Sequence, residues 1–369
     1  MDPIAALRQI AFLLEREHAP TYRVRAFRTA ALTAAGLDRA ELTRRAGVGS
    51  KSLTELPGIG PKTAAVIAEA AAGQTPGYLA ELIERRVPLV AGGEQIRALL
   101  RGDLHAHSDW SDGGSPIEEM ALTAVELGHD YLALTDHSPR LTVAHGLTPE
   151  RLERQLDVVA ALNDRLGDFT LLSGIECDIN SDGTLDQTEE LLGRLDIVVA
   201  SVHSELRAPA PAMTARMLAA IADPHTDVLG HCTGRLVASD ADTAEKPDGA
   251  NDSGRRRGGT GNSGGRRGRP AGRPESSFDA AAVFAACAEH GVAVEINSRP
   301  ERLDPPRRLL RMAVAAGCLF SIDTDAHAPG QLDWQVYGCE RAQECGVPVE
   351  RIVNGWPLPE LRAWTQRAR

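Results

Sequence analysis

The sequence predicts an α/β fold: a seven-stranded parallel barrel of the (β/α)7, TIM-like kind, preceded by a small all-α domain. Three observations carry that expectation. From residue 102 onward, short apolar runs alternate with longer helical stretches, the pattern of strands joined by crossover helices. The runs fall at 102–107, 131–136, 169–179, 197–203, 227–231, 292–297 and 319–325, a set that suits closure better than an open sheet. Before them, residues 1–95 carry only helical periodicity. The domain limits therefore read as 1–95 and 101–360.

Composition narrows the class. A chain of 369 residues, 43% apolar, can build a sizeable core, but with 4% aromatics it must pack largely alanine and leucine. The formal net charge of −11 argues against a surface coated in basic groups. That charge is unevenly spread, because residues 1–90 hold 12 Lys/Arg against 9 Asp/Glu. Six cysteines form no C-x-x-C pair, no signal-peptide core opens the chain, and no apolar run reaches membrane-span length. These features predict reduced thiols and a soluble, cytoplasmic protein with no membrane partner. The oligomeric state is not legible.

Taking the elements in order, Ile4, Leu7, Ile10, Ala11 and Leu14 recur at helical spacing, and Pro20 is expected to end that helix. Tyr22-Arg23-Val24-Arg25-Ala26-Phe27-Arg28 then leads into an alanine-rich helix, where the arginines suit a solvated face. In Leu56-Pro57-Gly58-Ile59-Gly60-Pro61-Lys62-Thr63, two glycines permit a tight interhelical turn and Pro61 suits a first helical turn. Free amides at that helix start can hold a phosphate oxygen, helped by the helix dipole and by Lys62. Gly58, Gly60 and Lys62 are thus candidate phosphate contacts, although such a turn also serves a purely structural role. Within the barrel, 116–127 and 149–166 are long enough for crossover helices. Residues 239–277, rich in Gly and Arg and without an apolar face, read as a disordered surface insertion.

The chemistry gathers at strand ends. In Asp103-Leu104-His105-Ala106-His107, residues two apart share a strand face, so His105 and His107 aim at one point, and Asp112 follows on a loop. Later strands end in His137, Glu176, His203 and His231, and the seventh closes with Asp325 and His327 at the same spacing. In a parallel barrel all these ends share one rim. Imidazoles and carboxylates so assembled suit divalent ions of the zinc, manganese or iron type. Without such ions, burying so many polar groups together is costly.

This pattern resembles the PHP (polymerase and histidinol phosphatase) superfamily, and the first hundred residues resemble the N-terminal helix-hairpin-helix domain of family X DNA polymerases. The resemblance implies a distorted barrel and a cluster of two or three divalent ions. Nine ligands are implied: His105, His107, Asp112, His137, Glu176, His203, His231, Asp325 and His327. Gly230-His231-Cys232-Thr233-Gly234-Arg235-Leu236 resembles a family segment that usually has proline at Cys232. Glu295-Ile296-Asn297 and Arg302-Leu303-Asp304 resemble its sixth-strand motif. Arg140, Arg235 and Arg302 are candidates to steady phosphate oxygens, or equally to pair with nearby carboxylates. Two departures matter. Val66 stands where lyase-active relatives carry a nucleophilic lysine, and a valine cannot form a Schiff base. Between Ile96 and residue 102 there is no room for a polymerase palm.

The expected activity is metal-dependent phosphoester hydrolysis at DNA 3′ ends, as a 3′–5′ exonuclease or 3′-phosphatase in repair. DNA would be held by the N-terminal domain without regard to sequence. The alternatives are a small-molecule phosphomonoesterase of the histidinol-phosphatase type and a non-enzymatic DNA-binding factor with a structural metal site.

Overall fold

The computed structural model describes residues 1–237 and 272–367. Seven helices come first: α1 (Pro3–Arg16), α2 (Thr21–Ala35), α3 (Arg39–Val48), α4 (Ser50–Thr54), α5 (Pro61–Ala71), α6 (Gly77–Glu84) and α7 (Glu94–Arg97). Their core joins Leu7, Ile10, Leu14, Phe27, Leu53, Ile67, Leu79 and Leu82 with a run of small alanines that lets the helices approach closely. Asp2 caps α1, its carboxylate accepting from the Ala5 amide at 2.9 Å. The helix stops at Arg16. Pro20 does not end it, as the sequence suggested, but serves as the N-cap of α2, where its fixed φ suits a helix entry.

The barrel strands are β1 (Gly102–Ala106), β2 (Tyr131–Leu134), β3 (Thr170–Asp178), β4 (Ile197–Ser201), β5 (Val228–Leu229), β6 (Ala293–Asn297) and β7 (Leu319–Asp323). They pair in sequence order and all in parallel. Helices α8 (Ile117–Glu126), α9 (Pro149–Asn163), α10 (Glu189–Leu192), α11 (Ala210–Ala222), α12 (Ala280–His290), α13 (Arg307–Ala316) and α14 (Gln335–Cys345) wrap the outside, and α15 (Leu358–Thr365) follows. Most strands stop short of the apolar runs that announced them, because rim residues give their backbone bonds to loops. β5 keeps only two residues, and β1 changes register between Asp103 and Ala106. Between β7 and β1 the barrel is held by a single bridge, Ala106 to Ala326, and by side chains.

Of the expected insertion at 239–277, residues up to 271 lie outside the described residues. Residues 272–277 are built into the rim: Leu236 and Arg273 exchange two backbone hydrogen bonds at 2.9 and 2.8 Å. Arg273 also donates to the Gly234 carbonyl at 2.6 Å.

The helical domain sits firmly on the barrel. Arg28 of α2 makes a buried ion pair with Glu15 of α1 at 2.7 Å and another with Glu119 of α8 at 3.1 Å. Glu15 also accepts from the Gly330 amide at 2.8 Å, and the Trp334 indole donates to the Arg16 carbonyl at 3.1 Å. Only glycine fits at 330, since a Cβ there would stand 2.3 Å from the Phe12 carbonyl oxygen.

Candidate metal centre

Glu176, near the end of β3 and fully buried, is the hub of the rim. Its Oε1 lies 2.8 Å from His231 Nε2 and 3.2 Å from His203 Nε2. Its Oε2 lies 2.8 Å from His137 Nδ1, 3.4 Å from His105 Nε2 and 3.6 Å from His107 Nε2. Asp325 approaches His107 Nε2 at 3.3 Å, and Asp112, the more exposed carboxylate, stands 3.4 Å from His137 and 3.3 Å from His327. The structure therefore gathers all nine residues singled out from the sequence. His105 lies within β1, whereas His107 lies one residue beyond it, past the register shift.

Three groupings have ligand atoms close enough to share an ion: His107, Asp112, His137 and His327; His105, His107 and Asp325; His137, Glu176 and His203. His231 falls outside them but reaches Glu176. The fit to metal rests on ring nitrogens that lack a well-aligned hydrogen bond. Among the described residues, His105 Nε2, both ring nitrogens of His107, His137 Nδ1, His203 Nε2 and His231 Nδ1 are buried without one, although several stand close to the Glu176 carboxylate. So many poorly satisfied polar atoms would be expensive as bare protein, and cations would satisfy those that face Glu176.

The surrounding residues fix ring orientation. His105 Nδ1 lies 2.6 Å from Glu295 Oε1, and His203 Nδ1 lies 2.5 Å from Asp178 Oδ1, which turns each Nε2 toward Glu176. The His231 backbone amide donates to the other Glu295 oxygen. Asp325 adopts a positive φ of 52°, a strained backbone that aims its carboxylate inward.

Electrostatics follow the geometry. Burial alone would raise the Glu176 carboxyl, but His203, His105 and His137 hold it well below its ordinary value. Burial likewise opposes ionisation of Asp325, yet Arg302 and Arg299 hold it well down. His107 is pushed well below the usual imidazole value by burial, then by His327 and His137. At His137, burial is outweighed by Glu176 and Asp112, which raise it to about 10. Bare, the cluster thus leans on protonated imidazoles for positive charge. Divalent ions would supply that charge instead and release those protons.

The three candidate phosphate arginines separate. Arg302 donates from Nε to Asp325 Oδ2 at 2.9 Å, while its buried Nη1 has no hydrogen-bond partner among the described residues. Arg235 is occupied by the backbone, donating from Nε to the Arg302 carbonyl at 3.0 Å and from Nη2 to the Leu303 carbonyl at 2.5 Å. Arg140 is exposed and bonds Asn180 Oδ1 at 3.0 Å. One rim arginine escaped the sequence reading: Arg299 Nη1 lies 3.0 Å from His327 Nδ1 and 3.5 Å from Asp325 Oδ1. Arg299 follows β6, so the strand-end rule applied to that strand would have found it. Asp178 shares the face of Glu176 two residues away and was legible by the same rule.

At the hairpin, Gly58 has φ +78°, and a Cβ there would meet Thr29 Cγ2 at 2.5 Å, so this turn requires glycine. Gly60 differs: its φ is −92° and a Cβ would meet nothing within 4 Å. The Gly60 amide is taken by Thr63 Oγ1 at 3.0 Å, and Lys62 Nζ lies 3.5 Å from the centroid of the Tyr78 ring. Val66 is buried in the helical core. No helix among the described residues is long and apolar enough to cross a membrane.

A parallel barrel carrying this rim, behind a helical hairpin domain, defines a phosphoesterase-type hydrolase. The chain belongs to the PHP domain family, which matches residues 103–299, and a helix-hairpin-helix domain matches residues 1–75. It is 34% identical to the DNA polymerase/3′-5′ exonuclease PolX of Bacillus subtilis over 73% of this chain, but spans only 41% of that relative. A protein of Edwardsiella ictaluri, named as a probable phosphatase, is 26% identical over 72% of this chain and 95% of its own length. Among solved structures, histidinol phosphate phosphatase of Lactococcus lactis, complexed with zinc, L-histidinol and phosphate, has a TM-score of 0.42 and 15% identity, covering 66% of this chain and 92% of that one.

Proposed function

We propose that this protein hydrolyses phosphate esters at DNA 3′ ends, trimming nucleotides or removing a terminal phosphate, in a repair setting. The observation that carries the reading is one cleft of about 1220 Å³, lined on one side by Asp112 and His327 of the rim and on the other by Arg25 and Thr29 of α2. A hollow beside it is lined by Arg25, Thr29 and Gly58, so it reaches the hairpin. A soluble metabolite would need neither wall nor hairpin. In this reading the nine rim residues hold two or three divalent ions, with manganese, zinc and iron all suited to the donor set. Such ions supply hydroxide at neutral pH and offset the charge growing on phosphoryl oxygens. Arg302 and Arg299 steady the non-bridging oxygens, and Glu295 and Asp178 keep the imidazoles turned inward. The hairpin amides hold DNA backbone without reading sequence, and the buried Val66 cannot itself supply a Schiff-base nucleophile for lyase chemistry.

The test is direct. Manganese-loaded protein is offered 3′-recessed DNA, 3′-phosphorylated DNA and histidinol phosphate in parallel. Shortening or dephosphorylation of DNA, abolished by chelator, is the expected result. Turnover of histidinol phosphate with DNA untouched would replace this reading by the small-molecule phosphatase, which the near full-length match to the Edwardsiella protein favours.

A further inference from the structure

Arg25 has a position that its neighbours do not share. Arg23 bonds the Tyr78 hydroxyl at 2.5 Å, and Arg28 is consumed by Glu15 and Glu119. Arg25 is exposed, and no hydrogen bond or ion pair engages it among the described residues. It also lines both cavities: the cleft that contains Asp112 and His327, and the adjoining hollow that contains Gly58. Arg25 therefore lies on the surface that the rim cleft and the hairpin hollow share.

α2 is a fixed wall. The Arg28 ion pairs, the Glu15 contact with Gly330 and the stack of His18 on Trp334, 4.2 Å between ring centroids, tie it to the barrel next to the rim. At the other end, Thr29 packs against the Gly58 turn, and Thr33 Oγ1 donates to the Pro57 carbonyl at 3.0 Å. The backbone that carries Arg25 is thus held at a set place between the rim and the hairpin. An unpaired guanidinium there is complementary to a phosphodiester, which it can grip through two parallel N–H donors.

We propose that Arg25 is a substrate-binding residue of the barrel site, holding a second phosphate, one that is not cleaved, on a chain whose terminal phosphate lies at the rim. The inference rests on the DNA reading above and sharpens it: the preferred substrate carries at least two phosphates in a chain, and the helical domain forms part of the active-site cleft. A lone monoester with its phosphorus among the rim histidines has no second phosphate to offer Arg25, so selectivity for a polymer would come from α2 as well as from the hairpin.

The experiment compares wild type, Arg25→Ala and Arg25→Lys, all metal-loaded and full length, on bis(4-nitrophenyl) phosphate and on oligonucleotides of two, four and eight nucleotides. For Arg25→Ala, the two-nucleotide substrate, with a single phosphodiester, should show no fall relative to the small ester. The ratio of kcat/KM on the four- and eight-nucleotide substrates to kcat/KM on the small ester should fall about tenfold, the order of one charge-assisted contact, chiefly through KM. Its dependence on log salt should flatten by about one unit, the signature of one lost phosphate contact. Arg25→Lys should recover part of the ratio. An unchanged ratio and salt slope in Arg25→Ala would overturn the proposal, as would an equal loss on both substrates. If wild type itself hydrolyses the ester but no oligonucleotide, the DNA reading fails, and this inference falls with it for a reason visible without any variant.

Discussion

Asp103 and Asp323 close the barrel by trading side chains for the missing strand ladder. The Leu104 amide of β1 donates to Asp323 Oδ1 at 2.9 Å. In return, the Thr324 amide donates to Asp103 Oδ1 at 3.3 Å and the Thr324 hydroxyl to Asp103 Oδ2 at 2.5 Å. Both carboxyls are fully buried beneath the metal-type cluster. Burial and the neighbouring Asp323 push the Asp103 carboxyl up from its ordinary value, and burial with Glu295 pushes Asp323 up as well.

Removing this reciprocal latch should open the seam between β7 and β1. Asp103→Ala strands the His105 and Thr324 amides as buried donors and should cost about 2–4 kcal/mol. Asp103→Asn keeps an acceptor oxygen and should cost distinctly less. Urea denaturation of the metal-free protein measures both, and equal losses would show that shape rather than acceptance holds the seam.

The rim cluster predicts a specific response to a single neutral substitution. Glu176→Gln is nearly isosteric but removes the carboxylate that faces five imidazoles. Metal content by elemental analysis should fall by at least one ion per chain, and kcat on a small phosphate ester should drop about a hundredfold or more. Full metal retention with wild-type kcat would remove Glu176 from the centre.

Much of this centre was legible because a parallel barrel converts sequence order into spatial convergence. His105, His137, Glu176, His203 and Asp325 lie far apart in the chain, yet each ends an apolar run, and strand ends share a rim. What escaped was detail set by packing across elements. Nothing local to Arg235 announces that the backbone of residues 302–303 occupies its guanidinium. Nothing in the hairpin spacing separates Gly58, which must be glycine against Thr29, from Gly60, which faces open space. The docking of α2 was hidden for the same reason: Arg28 reads as surface charge until Glu119, from a barrel helix, is placed beside it.

A buried histidine outside the centre provides a pH signature. His129, in the turn between α8 and β2, is pushed down to about 3 by burial and then by Arg97, whose Nη2 lies 3.1 Å from its ring. In the unfolded chain it titrates near 6.5, so the unfolded state binds the extra proton as pH falls below that value. Its stabilising share is complete above pH 6.5 and is lost progressively as pH falls toward 3. Between pH 7 and pH 5 the loss should be about 2 kcal/mol. His129→Gln keeps an acceptor for Arg97 but cannot titrate, so its stability should fall less over that interval. Denaturation midpoints at the two pH values check this, and parallel losses would show that His129 is protonated in the fold.

The last prediction concerns the Gly/Arg-rich stretch beyond Val237. The two ends of the described chain are adjacent there, because Leu236 and Arg273 exchange backbone hydrogen bonds as an antiparallel pair. Antiparallel partners can be joined by a short loop of about two to five residues. Replacing residues 238–271 with Asn-Gly leaves the four-residue loop Val237-Asn-Gly-Gly272 across that pair, and should therefore close the rim without disturbing the Arg273 contact with Gly234 or the Ser276 contacts on the far side. The shortened protein should keep its denaturation midpoint within about 0.5 kcal/mol of the parent, the range of changes away from packed features. It should also hydrolyse bis(4-nitrophenyl) phosphate at the parental rate. Oligonucleotide cleavage is the informative comparison, since the segment holds six arginines and one lysine against five acidic residues. A shallower salt dependence on DNA alone would assign those arginines to the polymer, while loss of folding would show that the stretch is part of the barrel's own structure.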